Sequence, residues 1–453
     1  MRTGRVVIIG GGTAGLSAAY TLKKRGIEAI VLEADDRVGG RMGGDRVGGF
    51  SLDQGADFFT PSHDVALRLC DELGLRLVLA PMKLGWFRRG RFVTTCPSKT
   101  IGGLFRNLRA LKACGMLSPR AMRTILRLVR TIESNSEHLT FSSESHAAEM
   151  DGDESVLEYL TRLGAPREMV TTMKGFLELT MADLDQMGTA YALTIMGEVM
   201  LKPDQQRMPE RGVGSLTHAL ADNCGDRVSV ATPVRHVTIK DGTATGVVAD
   251  SGTIDADAVI CATSATVALD IIPDLPEDVR LALGRVTYSR GCRVVIGLDR
   301  PPLPPGLHGV LYPEDMTPLL LDRTINLPAC APAGKSTLDL LVGRDRAEEL
   351  FPLDDEEVRR QLLRDARRNP YPGSNLPGDD DGIFTRVYRW REAVCAAPPG
   401  MLTTIAEMRR RNSLQGTNLF LAGDYMRMPS VNGALGSGVD TANEVADWLA
   451  SRA

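Results

Sequence analysis

The chain has 453 residues, 43% hydrophobic and 24% charged, which is ordinary for a globular protein and enough to bury two or more cores. A formal net charge of −4 gives no support to nucleic-acid binding. Eight cysteines without a C-x-x-C pair predict reduced thiols in a cytoplasmic protein, six histidines without ligand spacing predict no metal, and no stretch reaches the roughly 18 apolar residues of a membrane span.

Val6 to Ile9 is a short β-branched run, as in a buried parallel strand. Glycines follow it at once, so Arg2 and Arg5 do not introduce an export signal. Gly10, Gly12 and Gly15 fit G-x-G-x-x-G where a helix opens, and that helix is predicted over Leu16 to Lys24 with Gly26 ending it. The first glycine permits a sharp turn, the second lets backbone approach a pyrophosphate, and the third lets helix pack on strand. The helix end offers free N–H groups to phosphate. Glu33 closes the next strand 18 residues after Gly15, where a carboxylate can accept from a ribose diol. The pattern predicts an adenine dinucleotide.

Gly39-Gly40-Arg41 and Phe50-Ser-Leu-Asp-Gln-Gly-Ala-Asp-Phe-Phe come next. Residues 83–130 then hold twelve Lys or Arg and no acid, whereas 133–158 hold eight acids and no Lys or Arg. Within this region, Ser118 to Ile132 predicts an amphipathic helix. Met122, Ile125, Leu126, Val129 and Ile132 share one face, opposite Arg123, Arg127 and Arg130. Three readings stay open for the basic stretch: contact with an anionic membrane, steering of an anionic substrate, or a solvated face paired with the acids that follow. The helical pattern resumes at Val156 and runs to about Met200.

A glycine-bearing turn at 208–214 leads into a further helix. A strand is predicted over Arg227–Ala231, then a small meander over 237–255 with an Asp241-Gly242 turn. Asp255 to Thr263 reads as another buried strand, and Arg293–Leu298, Thr337–Val342 and Ile383–Tyr388 read as strands between proline-rich loops. Asn418-Leu-Phe-Leu-Ala-Gly-Asp424 ends a last buried strand, and a helix opens after Pro429 and runs to about Trp448.

Glu33-Ala-Asp-Asp-Arg-Val-Gly-Gly-Arg41, the Asp-Gln-Gly segment at 53–55 and the Gly423-Asp424 strand end together resemble the flavoprotein family of amine oxidases, protoporphyrinogen oxidases and carotenoid desaturases. The resemblance implies an α/β fold, with a Rossmann-like FAD-binding domain interleaved with a mixed-sheet and helical substrate domain. The FAD-binding parts would be 1–79, 206–269 and 406–453, and the substrate parts a mainly helical 80–205 and then 270–405. It implies that Gly40 and Arg41 lie along FAD, and that Gly55 and Ala56 approach the flavin ring with Asp57 and Phe58 on the substrate side. Val234 would hold adenine through its backbone, and Ala262 would lie near the pyrophosphate. Gly423 and Asp424 would meet the ribityl chain, and Val431 and Ala434 the flavin edge where reduction gathers negative charge. Many relatives place an arginine where this chain has Asp35.

In amine-oxidising relatives a lysine holds a water at the flavin, and spacing from Pro301 puts Arg293 at that position. An arginine does not release its proton. Trp390-Arg-Glu-Ala393 is closer to the Trp-Pro-x-Ala of the porphyrinogen oxidases and desaturases, and aromatic residues make up only 5% of the chain. The flavin-tethering cysteine of some relatives is missing, which implies non-covalent FAD. The expected activity is removal of hydride from a C–H bond of a largely apolar small molecule, with oxygen or a quinone as acceptor. Asp57, Arg293 and Tyr425 are the polar candidates for the site. Alternatives are an amine oxidase releasing hydrogen peroxide and a non-catalytic flavin protein at a membrane.

Overall fold

The computed structural model describes residues 5–95, 101–177, 182–314 and 318–452. Cys96 and Lys99, counted above among the thiols and the basic stretch, lie outside them. A five-stranded parallel sheet has the order Leu419–Leu421, Ala258–Cys261, Val6–Ile9, Ala29–Leu32, Val228–Ser229. Its central strand is wholly buried, which is why it reads as continuous β-branched sequence without alternation. The strand expected over Arg227–Ala231 shrinks to two residues because Ala231 turns to a positive φ of 48°.

The helix Thr13–Lys24 starts three residues earlier than expected and packs on the final helix, Val431–Ala450. The crossing is close: a Cβ on Gly438 would stand 2.1 Å from the Ala14 carbonyl oxygen. Ser17 Oγ donates to the Leu435 carbonyl at 2.9 Å there. Chain segments more than 400 residues apart in sequence thus form one layer beside the sheet.

The second large sheet has seven strands, in the order Phe384–Trp390, Gly291–Leu298, Ser336–Val342, Leu319–Leu321, Gly309–Leu311, Leu84–Arg88, Arg91–Thr94. Alternation divides its faces. Val310, Leu320 and Leu340 pack in one core with the helices Arg344–Leu350 and Asp355–Arg367. Leu311, Leu319, Leu321 and Leu341 join the other core, with the helices of 119–200. The segment 80–205, expected to be mainly helical, therefore begins with two strands, and Gly309–Leu311 pairs in parallel with the first of them.

Helices then cover Ile101–Ala113, Pro119–Ser134, Val156–Arg162, Arg167–Leu177 and Thr189–Ile195, the last continuing as a π turn over Met196–Met200. Residues 178–181, part of the expected helical run, lie outside the described residues. Ser155 caps its helix through the reciprocal bond with Glu158. The stripe read on Pro119–Ser134 is rotated. Ala121, Thr124, Leu128 and Ile132 are buried, while Met122 and Leu126 are 39% and 57% exposed beside Arg123, Arg127 and Arg130. The reason is local. Thr124 Oγ1 bonds the Arg120 and Leu163 carbonyls, and the small side chains allow close approach to the π turn, where Gly197 meets Ile132. Among the described residues, no ion pair joins the basic stretch to the acids of 133–158.

Candidate active site

The first strand ends at Gly10, whose φ of +103° suits glycine. Gly12 then caps the helix Thr13–Lys24 without any side-chain bond, so the helix opens with free N–H groups. A Cβ on Gly12 would meet nothing within 4 Å, whereas one on Gly15 would stand 1.9 Å from the Gly10 carbonyl oxygen. The two glycines serve different ends: Gly12 keeps a space clear, and Gly15 lets helix press on strand. Glu33 accepts N–H bonds from Gly11 at 2.6 Å and Asp35 at 2.9 Å, and burial pushes its carboxyl up against those bonds. Gly39 donates to the Gly11 carbonyl at 2.8 Å, which brings Gly40 and Arg41 beside the glycine turn.

A cavity of about 870 Å³ opens here, in the upper part of the range for small-molecule sites of about 300–1,000 Å³. Gly10, Gly12, Glu33, Gly40, Arg41 and Val234 line it, with Gly55, Ala56, Ala262, Gly423, Asp424, Val431 and Ala434. Of the expected cofactor residues only Gly15 stands behind the wall. Arg41 forks onto Asp424 with bonds of 2.8 and 2.9 Å and stacks over Tyr288 at 5.3 Å. The Ala56 N–H donates to the Arg41 carbonyl at 3.1 Å, tying the 55–57 segment to that pair. Ser430 caps the final helix through the Gly433 N–H at 2.9 Å, leaving the Val431 end toward the cavity. Arg37, within the Glu33–Arg41 motif but given no role there, also reaches the wall, as does Asp35.

The rest of the lining is mostly apolar: Phe58, Met82, Leu84, Phe141, Phe176, Ile195, Val199, Leu319, Leu321 and Leu341. Asp57 faces this space with about a quarter of its side chain exposed. Its Oδ1 accepts from Arg293 at 3.0 Å and from Arg323 at 2.6 Å. Arg293 also bonds the Gly55 carbonyl at 3.1 Å and pairs with Asp339, and Arg323 pairs with Asp53. Burial works to raise the Asp57 carboxyl, but the two guanidinium groups overcome it and leave the group below the ordinary range. It is a fixed anion.

Arg293 and Tyr425, expected in the site, do not line the cavity. Both are fully buried, and the Tyr425 hydroxyl has no hydrogen-bond partner among the described residues. Arg293 stands one residue behind the surface because the same strand face carries its partner Asp339 on the neighbouring strand. Arg323, His63 and His308 were missed. Both histidines line the cavity and are held neutral: burial pushes His63 down to about 3, and burial with the nearby Arg323 cation pushes His308 down to about 4.

These residues fit FAD on structural grounds. The space over Gly12, the uncapped helix end, the Glu33 carboxylate at the second strand and the Arg41–Asp424 pair lie around one cavity. A family model described as flavin containing amine oxidoreductase matches residues 13–446. The chain belongs to that family. Like other flavin-containing amine oxidoreductases it is an FAD-dependent oxidoreductase. It is 26% identical over 422 residues to the putative flavin-containing monoamine oxidase AofH of Mycobacterium tuberculosis, covering 88% of this chain and 87% of the relative. It is 23% identical over 457 residues to the coproporphyrinogen III oxidase of Bacillus subtilis, covering 92% and 93%. The putative protoporphyrinogen oxidase from Exiguobacterium sp. 255-15 superposes with a TM-score of 0.74 at 20% identity, over 100% of both chains. That likeness establishes a shared fold. No helix of the described residues is long and apolar enough to cross a membrane, and no group of His, Cys, Asp or Glu among them is arranged to hold a metal ion.

Proposed function

We propose that this flavin-containing oxidoreductase removes hydride from a C–H bond of a largely apolar small molecule, giving a C=C or C=N product. The observation that carries this reading is the mostly apolar cavity lining away from the glycine turn, where the polar groups include two neutral histidines and the Asp57 carboxylate already held by two arginines. Bound FAD supplies the hydride acceptor. The chain's own part is to hold and orient. The uncapped end at Gly12 would meet the pyrophosphate, Glu33 the ribose, and the Val234 backbone the adenine. Asp424, aligned by Arg41, would meet the ribityl chain. The Val431 end of the final helix would offer its partial positive charge to the flavin. Arg293 and Arg323 act from behind, fixing the Gly55–Asp57 backbone that would lie beside the flavin. The FAD is held non-covalently. Cys395, five residues beyond Trp390, is fully buried, and no cysteine is among the described lining residues.

The parallel sheet draws its strands from within 1–79, 206–269 and 406–453, and the seven-stranded sheet from within 80–205 and 270–405. This supports a cofactor part and a substrate part divided at those positions. Oxygen or a quinone is the proposed electron acceptor. We also propose that the face bearing Met122, Leu126, Arg123, Arg127 and Arg130 rests on an anionic membrane surface, because it is exposed, mixed apolar and basic, and unpaired with the neighbouring acids.

A second reading, amine oxidation, draws on the ionised Asp57 at the cavity, which can accept from an ammonium or amine N–H. Anaerobic absorbance titration of the holoenzyme with amines, a porphyrinogen and polyenes separates the two. Bleaching by porphyrinogen or polyene supports the apolar reading; bleaching by amines alone replaces it.

A further inference from the structure

Forming C=C or C=N releases a proton as well as a hydride, and an apolar cavity holds little water to take it. The lining groups able to accept one are few among the described residues. Asp57 is bound by two arginines, and Asp424 is forked by Arg41. Glu392 accepts from Thr266, Glu33 is engaged with two backbone N–H groups at the glycine turn, and Asp35 is an exposed residue at that same end. The Nδ1 of His63 accepts from the Thr60 N–H at 3.2 Å and meets Thr60 Oγ1 at 2.7 Å.

His308 is different. Its N–H donates to the Lys83 carbonyl and its own carbonyl accepts from the Asp322 N–H, both at 2.9 Å, so its backbone is fixed on two sides. The ring lines the cavity. Its Nδ1 is sealed from solvent without a partner, which leaves Nε2 as the nitrogen on the open side. The charged groups facing the ring are Arg323, Asp57 and Arg293. The ring is neutral at neutral pH, and in the tautomer that keeps its hydrogen on Nδ1 the free lone pair is at Nε2.

We propose that Nε2 of His308 accepts the proton that leaves the substrate when hydride departs. The hydrogen and electron pair of one C–H bond pass to FAD, the oxidant of the family reaction. The electron pair of the adjacent C–H or N–H bond becomes the new π bond, and its proton goes to Nε2. The imidazolium so formed stands near the Asp57 anion and returns its proton to solvent. This inference rests on the proposed C–H oxidation in the same cavity.

The test compares wild-type holoenzyme with His308→Asn and His308→Ala. Anaerobic stopped-flow bleaching is followed with a porphyrinogen, a polyene and a primary amine. FAD content and resting absorbance are expected to stay at wild-type values while bleaching slows about 100-fold. Added imidazole restores His308→Ala and leaves His308→Asn slow. A second readout needs no donor: diethyl pyrocarbonate at pH 7 is expected to modify His308 in the wild-type holoenzyme, located by peptide mass. An unmodified His308, or His308→Asn bleaching at the wild-type rate, overturns the proposal alone. Wild-type flavin that none of the three donors bleaches overturns the C–H oxidation reading, and this inference with it.

Discussion

A methyl group added at Gly12 and one added at Gly15 separate cofactor binding from folding. At Gly12 the backbone is extended, at φ −75° and ψ −176°, which alanine tolerates, and the new Cβ meets no atom within 4 Å. Gly12→Ala should therefore leave the apoprotein within about 1 kcal/mol of wild type. The methyl would enter the cavity at the helix end proposed to receive the pyrophosphate. Overpacking of that kind costs about 1–3 kcal/mol, or about 5- to 150-fold in FAD affinity. At Gly15 the Cβ would stand 1.9 Å from the Gly10 oxygen, where ordinary contact begins at 3.4 Å, so helix and strand must separate by the difference, 1.5 Å. Gly15→Ala should destabilise apoprotein and holoprotein alike. Flavin absorbance retained after dialysis gives affinity, and urea unfolding of the apoproteins gives stability. A Gly12→Ala protein that binds FAD normally but unfolds early would show that Gly12 packs the fold and that the space above it is not the cofactor's.

Stability should fall as pH drops from about 6.5 toward 4. The unfolded chain protonates His63 and His308 near their ordinary value, whereas the folded chain resists until about 3 and about 4. The unfolded state thus binds more protons in that window, and each histidine contributes a slope approaching ~1.4 kcal/mol per pH unit. Urea midpoints at pH 7, 5.5 and 4.5 measure it, and a His308→Asn profile as steep as wild type would contradict the assignment. Arg323→Met strips a buried cation from Asp53 and Asp57 and is expected to cost about 3–5 kcal/mol in urea unfolding, with part regained on adding Asp53→Asn. A loss below about 1 kcal/mol would mean that the wall does not depend on the pair. Arg123→Glu with Arg127→Glu should weaken sedimentation with anionic vesicles, and salt should weaken that of the wild type. Equal sedimentation of both proteins would remove the membrane contact.

The proposed cofactor side of the cavity is legible in the sequence because its requirements are local. A glycine with positive φ, a helix opening three residues later and a carboxylate after the next strand are all set by neighbours in sequence. The substrate side depends on register. Gly309–Leu311 and Leu319–Leu321 are three residues each, too short for alternation to appear, and the first finds its partner 225 residues earlier at Leu84. His308 and Arg323 flank those strands, so nothing near them in the chain announces a common wall. The stripe predicted on Pro119–Ser134 is rotated for another reason: close helix packing turns the small Ala121 and Thr124 inward in place of the larger Met122 and Leu126.

Arg293 shows what a stricter reading can extract. It lies within Gly291–Leu298 and Asp339 within Ser336–Val342, two strands otherwise apolar or small and wholly buried. An isolated charge in such a strand costs far more than folding can offset, so each requires an opposite charge on the same sheet face. The antiparallel register sets Arg293 opposite Leu341 and puts Asp339 two residues along, the diagonal neighbour on that face. The same argument explains why Arg293 does not reach the cavity. Its guanidinium is shared among Asp339, Asp57 and the Gly55 carbonyl, and turning Nη2 toward a substrate would strip Asp339, fully buried, of its cation. A lysine at this position, with one compact charge, could not span those three acceptors in a plane; the arginine fork can. Arg293 therefore braces the backbone beside the cavity and does not face it.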